Sequence, residues 1–281
     1  MPESPEVQSL VEFLGRRAAG RRIADVDILE FRTVKTRQSP PSTLSGREIT
    51  AARRFGKHVA LDVGEDAALV VSLGRHGWMR WRDATDDTPA ADASATDAPP
   101  ALAELRLDGG ETVEMTDAGT WVSLGLFVVD DPIAVPAIAK LGPDPADPAF
   151  SRADLVAALG GRRKQVKAIL QEQESLAGIG NAYSDEILHA ARISPVAHAA
   201  ALDDDAVDRL HRATVETVRG AIDARRGIPI DELKAAKVAA MRVHGRGGEP
   251  CPVCGDTVRD FSFASTTAQY CPTCQTGGVV L

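Results

Sequence analysis

The chain has 281 residues, of which 44% are hydrophobic, and its formal net charge is −8. This length accommodates two domains of ordinary size with real cores, and no apolar run reaches membrane length. The bulk charge argues against a nucleic-acid binder, so such a role would need a locally basic surface. The first residues lack the basic segment and apolar core of a signal peptide, so a cytoplasmic location is expected.

The first residues predict a helix directly behind the start of the chain. Ser4 suits the N-cap and Pro5 the first helical position, and apolar residues follow at helical spacing. If Met1 is removed, Pro2 presents a secondary amine near the positive end of the helix dipole, which keeps its lone pair available. Glu3 lies beside it as a candidate proton donor or acceptor. The plainer interpretation is an ordinary helix cap, which is the commoner case for so short a motif.

Short apolar stretches in the first part of the chain predict a strand-rich sandwich with the N-terminal helix packed against it. Residues 83–100 contain five aspartates and no basic residue, which is the composition of a disordered loop. The rest of the chain is therefore only mildly acidic, and a local basic face remains compatible with the sequence. The predicted strands lie near 23–31, 58–63, 68–73, 103–107, 112–115 and 120–129.

A proline-rich linker is predicted over 131–150, and the pattern behind it is helical. Four basic residues cluster at the start of the second predicted helix, where positive charge opposes the helix dipole. Either an anionic partner or a solvated basic face would resolve that conflict. The predicted helices cover 154–159, 163–173 and 205–222, and the basic residues are Arg162, Arg163, Lys164 and Lys167.

A glycine-containing turn precedes another predicted helix. Gly178 and Gly180 permit a tight turn, and Asn181 is expected to cap the helix that follows. Backbone amides and the Asn181 side chain at this turn would form a suitable seat for a phosphate. The Gly-x-Gly pattern alone is weak evidence, because any interhelical turn can contain it.

The cysteines give the strongest single signal in the sequence. Cys251 and Cys254 form one Cys-x-x-Cys motif, and after sixteen residues Cys271 and Cys274 form a second. Two such knuckles at this separation fit one tetrahedral, structural zinc ion on a ribbon of two hairpins. Free or disulfide-paired cysteines would require the spacing to be a coincidence. Zinc ribbons serve many functions, so the motif alone does not indicate the chemistry.

Taken together, these blocks resemble the formamidopyrimidine-DNA glycosylase and endonuclease VIII family (Fpg/Nei). The resemblance implies an α+β multidomain chain that binds DNA between its domains. Its N-terminal β-sandwich with a packed helix would span 1–130, followed by the linker 131–150. A helix-two-turn-helix domain would span 151–244 and a zinc finger 245–281. The matching residues are Pro2-Glu3 with Pro5-Glu6, the hairpin 54–58, the segment 176–188 and the stretch 243–250.

The same resemblance implies a base-excision-repair DNA glycosylase with AP lyase activity. The Pro2 amine would attack C1′ of a flipped nucleotide, displace the base and form a Schiff base, after which elimination cuts the strand. Glu3 would protonate the sugar ring oxygen, and Glu6 would hold the N-terminal turn. Lys57 and Asn181 would contact phosphates beside the lesion. The expected partner is damaged DNA, double-stranded or single-stranded. We also expect one structural zinc ion and no small-molecule cofactor. The protein is expected to be a monomer that associates with the nucleoid and not with a membrane.

Several positions depart from the family pattern. Thr266 stands where the finger loop of relatives usually has a phosphate-binding arginine. Arg75 and His76 occupy the place of a wedge methionine, and either one would wedge or stack in the duplex. The loop 117–121 has no arginine, and the segment 226–243 shows no long glycine-rich lesion cap. These departures favour the endonuclease VIII branch and oxidised pyrimidines or abasic sites, in single-stranded or distorted DNA.

Two alternatives stay open. One is a damage-recognition protein that keeps the fold without catalysis, and the other is an AP lyase that does not excise bases. Loss of the finger arginine favours the first, whereas Pro2, Glu3 and Lys57 oppose it, because binding alone needs no N-terminal amine. Trp78 and Trp81 are expected to pack in strands rather than stack on a base. The histidines on helical segments, His189, His198 and His211, are expected to be packing or surface residues rather than ligands.

Overall fold

In the computed structural model, described over residues 2–84, 98–263 and 266–281, the chain divides into two compact units. The predicted domain limits stay predictions, and the main division along the chain falls after Ala139. Most of the predicted acidic loop, residues 85–97, lies outside the described residues. Within the described residues, no helix has the length and apolar character needed to cross a membrane. The first unit contains Pro2, Glu6–Ala139 and Gly227–Asp231, and the second contains Glu3–Pro5, Lys140–Arg226 and Glu232–Leu281.

The first unit contains two four-stranded antiparallel sheets, which confirms the predicted strand-rich sandwich. Its strands are β1 (Ile23–Ile28), β2 (Ile49–Phe55), β3 (His58–Val63), β4 (Ala67–Ser72), β5 (Gly77–Arg82), β6 (Ala101–Leu107), β7 (Thr112–Asp117) and β8 (Gly125–Val129). One sheet has the order β1-β6-β7-β5 and the other the order β2-β3-β4-β8. Buried aliphatic residues of both sheets supply the core of this unit.

The N-terminal helix α1 (Ser4–Arg17) begins at Ser4 itself rather than after it. Phe13 meets Trp81 of β5 edge to face, with ring centroids 5.5 Å apart. On the other sheet, Arg54 Nε of β2 donates to Gln8 Oε1 at 2.9 Å. The helix therefore contacts both sheets. Its buried apolar face is the predicted one, formed by Val7, Leu10, Val11 and Leu14 and continued by Ala18 just beyond the helix.

The predicted strand 120–129 is wrong in its first half, because β8 begins at Gly125. The Asp117 carboxylate accepts backbone N–H groups from Gly119 at 2.9 Å, Ser123 at 2.7 Å and Leu124 at 3.0 Å. These amides hold a loop around one side chain instead of joining a ladder. β1 is also shorter than predicted, and neither β2 nor β5 has a counterpart among the predicted strands.

The second unit is helical and ends in a two-stranded ribbon. The short helix α2 (Pro136–Ala139) is the last element of the first-unit segment Glu6–Ala139. An apolar cluster drawn mainly from α3 to α6 forms the core of the second unit. The predicted helix 163–173 is shorter in the structure. The elements are α3 (Arg152–Leu159), α4 (Val166–Gln171), α5 (Asn181–Ala191), α6 (Asp204–Arg225), α7 (Leu233–Ala240), β9 (Arg259–Phe263), β10 (Thr266–Tyr270) and α8 (Pro272–Gln275).

Three of the four cations around the start of α4 have carboxylate partners inside the chain, so an external anion is not needed to balance them. Arg162 and Lys164 pair with Glu172 at 2.9 and 2.8 Å. The Lys164 ammonium, with Ser175 and Arg162 as further donors, lowers the pKa of Glu172 to about 2. Lys167 is fully buried and lies 2.6 Å from Asp185, and burial lowers its pKa against the pull of that carboxylate. The fourth cation of the cluster, Arg163, is exposed.

Candidate functional site

Glu3 is seated at the N-terminus of α5, although it comes from the start of the chain. Its carboxylate accepts the backbone N–H groups of Gly180, of Ala182 at 3.1 Å and of Tyr183 at 3.4 Å. The side chain is almost fully buried. The helix dipole and three amides thus stabilise the ionised carboxylate. Lys237 of α7 completes the environment, with Nζ 3.2 Å from Glu3 Oε1.

These contacts correct two details of the predicted turn. Gly180 is the N-cap and Asn181 the first residue of α5, so Asn181 does not cap it. Its Nδ2 instead donates to the Thr267 carbonyl of β10 at 2.9 Å. The three named amides, expected to bind a phosphate, bind Glu3. A DNA contact from the Asn181 side chain stays a prediction.

Pro2, Glu6 and Lys57 all belong to the first unit. Pro2 and Glu6 are buried, and Glu6 lies in the first turn of α1. Lys57 is half-buried in a two-residue turn between β2 and β3, next to Gly56, whose φ of 54° favours glycine. The tip of this hairpin therefore carries a cation on a tightly defined backbone.

Arg75 and His76 are both exposed on the loop between β4 and β5. The Arg75 N–H donates to Ser123 Oγ at 3.0 Å, and Ser123 is itself bonded to Asp117. Burial on its own would raise the pKa of Asp117, but hydrogen bonds from the loop outweigh it and the pKa is lowered. A Cβ on Gly119 would lie 2.9 Å from His76 Cδ2. The ionised Asp117 thus holds the two loops together.

Trp121 is the residue of this loop pair that the sequence analysis missed. Its side chain is 81% exposed, on the loop organised by Asp117. Trp78 is buried and Trp81 packs against Phe13, which confirms their predicted structural role. The sequence did carry a signal for an exposed Trp121. This tryptophan lies between Asp117 and Gly125, in a stretch without the alternating pattern of a strand.

The four cysteines of the second unit come together as predicted. Their sulfur atoms all lie within 4.8 Å of one another. Cys251 and Cys274 sulfurs are 3.9 Å apart, and those of Cys254 and Cys271 are 3.4 Å apart. Thiolates about 2.3 Å from one zinc ion are about 3.8 Å apart in a tetrahedron, whereas a disulfide would need about 2 Å. The cluster fits one structural zinc ion.

The cysteine cluster is joined to α5. His189 Nε2 lies 3.3 Å from Cys251 Sγ, and burial lowers the pKa of His189 to about 4. The expectation that this histidine packs is confirmed, with a sulfur as its neighbour. Gln275 of α8 donates to the Ile193 carbonyl at 2.9 Å. The ribbon is therefore fastened to the helix whose N-terminus holds Glu3.

The side chain of Thr266 and residues 264–265 lie outside the described residues, so the missing finger arginine stays a sequence observation. Two groups of candidate residues result. Pro2, Glu6, Lys57, Arg75 and His76 belong to the first unit, and Glu3, Asn181 and the four cysteines to the second.

Three family models match the chain in the order of its elements. They are the formamidopyrimidine-DNA glycosylase N-terminal domain over 1–121, the formamidopyrimidine-DNA glycosylase H2TH domain over 141–231, and the zinc finger found in FPG and IleRS over 248–277. The fold and the cysteine cluster thus define a zinc-finger protein of the H2TH glycosylase class.

The chain belongs to the Fpg/Nei family. A formamidopyrimidine-DNA glycosylase of Desulforamulus reducens is 30% identical over 283 residues, covering 98% of this chain and 99% of that protein. An uncharacterized formamidopyrimidine-DNA glycosylase-like protein of Mycobacterium tuberculosis is 48% identical over 146 residues, covering 52% of this chain and 91% of that protein. A closer relation to the endonuclease VIII branch stays a prediction.

Solved structures agree with the family. MutM in complex with DNA containing carbocyclic 8-oxo-G has a TM-score of 0.84 at 26% identity, covering 98% of this chain and 100% of that chain. Lactococcus lactis Fpg in complex with DNA containing an oxidized pyrimidine has a TM-score of 0.85 at 26% identity, with the same coverage.

Proposed function

We propose that the protein is a base-excision-repair DNA glycosylase with AP lyase activity that works through a Schiff base at Pro2. The observation that carries the proposal is the Glu3 carboxylate, buried and held by three amides at the start of α5. A carboxylate placed so firmly, and adjacent in sequence to the proposed nucleophile, is suited to proton transfer. Family membership supports the same reaction class.

The proposed reaction begins when removal of Met1 frees the Pro2 amine. Its nitrogen forms a bond to C1′ of the flipped nucleotide while the glycosidic bond breaks and the base leaves. The Glu3 carboxylate accepts the proton that the Pro2 nitrogen loses after bonding to C1′ and delivers it to the ring oxygen as the sugar opens, which gives an iminium ion. The iminium acidifies the C2′ proton, so elimination breaks the 3′ carbon–oxygen bond and then the 5′ one. The four cysteines would hold a zinc ion with no open coordination position, so the ion would stabilise the ribbon and leave the reaction to Pro2 and Glu3.

The DNA would be held by groups on both units. Lys57 and the Asn181 side chain are proposed to contact phosphates beside the lesion. Arg75, His76 and Trp121 are proposed to fill the space left by the flipped base, and the exposure of all three supports that role. The finger arginine that would add a further phosphate contact is replaced by Thr266.

The proposed substrates are oxidised pyrimidines and abasic sites. The lack of an arginine in 117–121 and the short segment before residue 243 favour this class. The neighbouring structures contain 8-oxo-G, FAPY-dG, oxidised pyrimidine or abasic DNA. A test must therefore include all four lesions.

Borohydride trapping of the Met1-free protein on a panel of these lesions tests the proposal. The expected result is a covalent adduct on abasic DNA and on oxidised pyrimidines, with less on 8-oxo-G. Adduct on abasic DNA alone would identify an AP lyase that does not excise bases. Binding without any adduct would identify a damage-recognition protein and overturn the proposed chemistry.

Replacing Lys57 with alanine is expected to weaken DNA binding and to reduce the salt slope of log K by about 0.9, the contribution of one phosphate contact. The loss should be similar for all lesions, since a phosphate contact carries no base identity. Titrations at several salt concentrations measure both. The control is Lys35→Ala, which removes an exposed lysine of the same unit. An unchanged slope in Lys57→Ala would contradict the assignment.

Replacing Trp121 with alanine is expected to slow excision from duplex DNA about tenfold, because stacking on a base contributes about 1–3 kcal/mol. The effect should be much smaller on single-stranded DNA, where no gap is left to fill. Single-turnover rates on both substrates measure it. Phe31→Ala removes an aromatic residue that is 80% exposed in the same unit and is the matched control. Equal losses on the two substrates would argue against a wedge.

A further inference from the structure

The candidate catalytic carboxylate has a fourth partner that neither the sequence patterns nor the family comparisons assign. Glu3 Oε1 is bound by the Ala182 N–H and by Lys237 Nζ, at 3.1 and 3.2 Å. Glu3 Oε2 is bound by the N–H groups of Gly180 and Tyr183. Each oxygen thus has at least two donors, which fix the plane of the carboxylate.

The ammonium of Lys237 is held in a second way. It lies 4.9 Å from the centroid of the Tyr183 ring, which is itself buried. A cation at this distance is attracted to the face of an aromatic ring. The Lys237 side chain is only 13% exposed and that of Glu3 only 2%, so solvent screens this ion pair weakly. Removing the ammonium would take away a cation within hydrogen-bond distance of an almost buried carboxylate.

Lys237 lies on α7, a helix with few buried side chains. Of the eight residues of α7, all of them described, Leu233 alone is buried, and Val238 is 66% exposed. Buried apolar side chains therefore lie at the first turn of α7 and directly after its end, where Met241 packs into the core of the second unit. The pair of Lys237 with Glu3 links the middle of the helix to the candidate site.

We propose that Lys237 is a positioning residue: its ammonium holds the Glu3 carboxylate in the orientation that proton transfer to the sugar requires. This inference rests on the proposed function. Lys237 itself donates no proton to the sugar and forms no covalent bond. It acts through Glu3, so its effect must disappear when Glu3 can no longer transfer a proton.

The test is a double-mutant cycle with Lys237→Met, which keeps an unbranched side chain without charge, and Glu3→Gln. Single-turnover strand cleavage of abasic DNA and the DNA dissociation constant are measured for each protein. Lys237→Met is expected to slow cleavage roughly tenfold, as slight misplacement of a reacting group does, with DNA affinity unchanged. Lys237→Arg should recover most of the rate. Lys140→Met, at an exposed lysine of the same unit, is the charge-matched control.

Comparison in the Glu3→Gln background decides the role of Lys237. In the Glu3→Gln protein the carboxylate charge is already absent. Lys237→Met therefore leaves no unpaired buried carboxylate in that background, and the loss of folding stability from such a charge does not arise. No further loss of rate in the double variant would support the proposal. An additional tenfold loss, or wild-type rates in Lys237→Met alone, would overturn it. If wild-type protein itself gave no adduct, the proposed function would fail instead, which is a separate result.

Discussion

Blocking the Pro2 amine is expected to abolish the borohydride-trapped adduct, with a loss on the order of a thousandfold or more, the scale on which removal of a nucleophile acts. A residue joined before Pro2 converts its amine into an amide, whose nitrogen lone pair is delocalised into the carbonyl. Such a nitrogen cannot attack C1′. The variant to measure carries an N-terminal extension that a site-specific protease removes to leave Pro2 first.

Two controls separate chemistry from folding in this experiment. Proteolytic removal of the extension should restore the adduct in the same sample, because the chain behind Pro2 is unchanged. Pro2→Gly, processed to a free amine, should retain some trapping, since a primary amine also forms a Schiff base. Equal adduct from the uncleaved extension would show that another amine reacts, and the assignment of Pro2 would be wrong.

Removal of zinc is expected to have the second largest effect, a loss of DNA affinity of more than about tenfold with unfolding of the ribbon. Structural zinc contributes roughly 10–16 kcal/mol of binding energy in small fingers, and that energy is folding energy. Cys271→Ser or chelation should therefore release the metal and disorder β9 and β10. Metal content, circular dichroism and DNA titration measure the three consequences.

The loss should also reach the candidate site, because the ribbon is fastened to α5. The Thr267 carbonyl receives Asn181 Nδ2, and the Cys251 sulfur lies against His189. Trapping at high DNA concentration should nevertheless persist at a reduced rate, since Pro2 belongs to the other unit. Recovery on adding zinc back to the chelated protein is the control. Full DNA affinity without metal would contradict a structural role for the ribbon.

Parts of this protein follow from local sequence patterns. The two Cys-x-x-Cys motifs predicted the zinc cluster, because a tetrahedral ion requires four sulfurs at spacings that the chain itself sets. The apolar spacing of α1 predicted its buried face, since helix geometry places such residues together. Fixed motifs in a fixed order were also sufficient to indicate the family. All of these signals operate over a few residues, or through covalent spacing.

Only the tertiary structure decided what surrounds the candidate catalytic groups. The amides that bind Glu3 lie about 177 to 180 residues away along the chain, and Lys237 is 234 residues away. No local pattern carries such pairings. The Asp117 loop replaced a predicted strand for a different, local reason, because the Asp117 carboxylate competed for backbone amides two to seven residues further along the chain. The sequence by itself thus determined the class of elements and the metal site, while packing decided which charged groups meet.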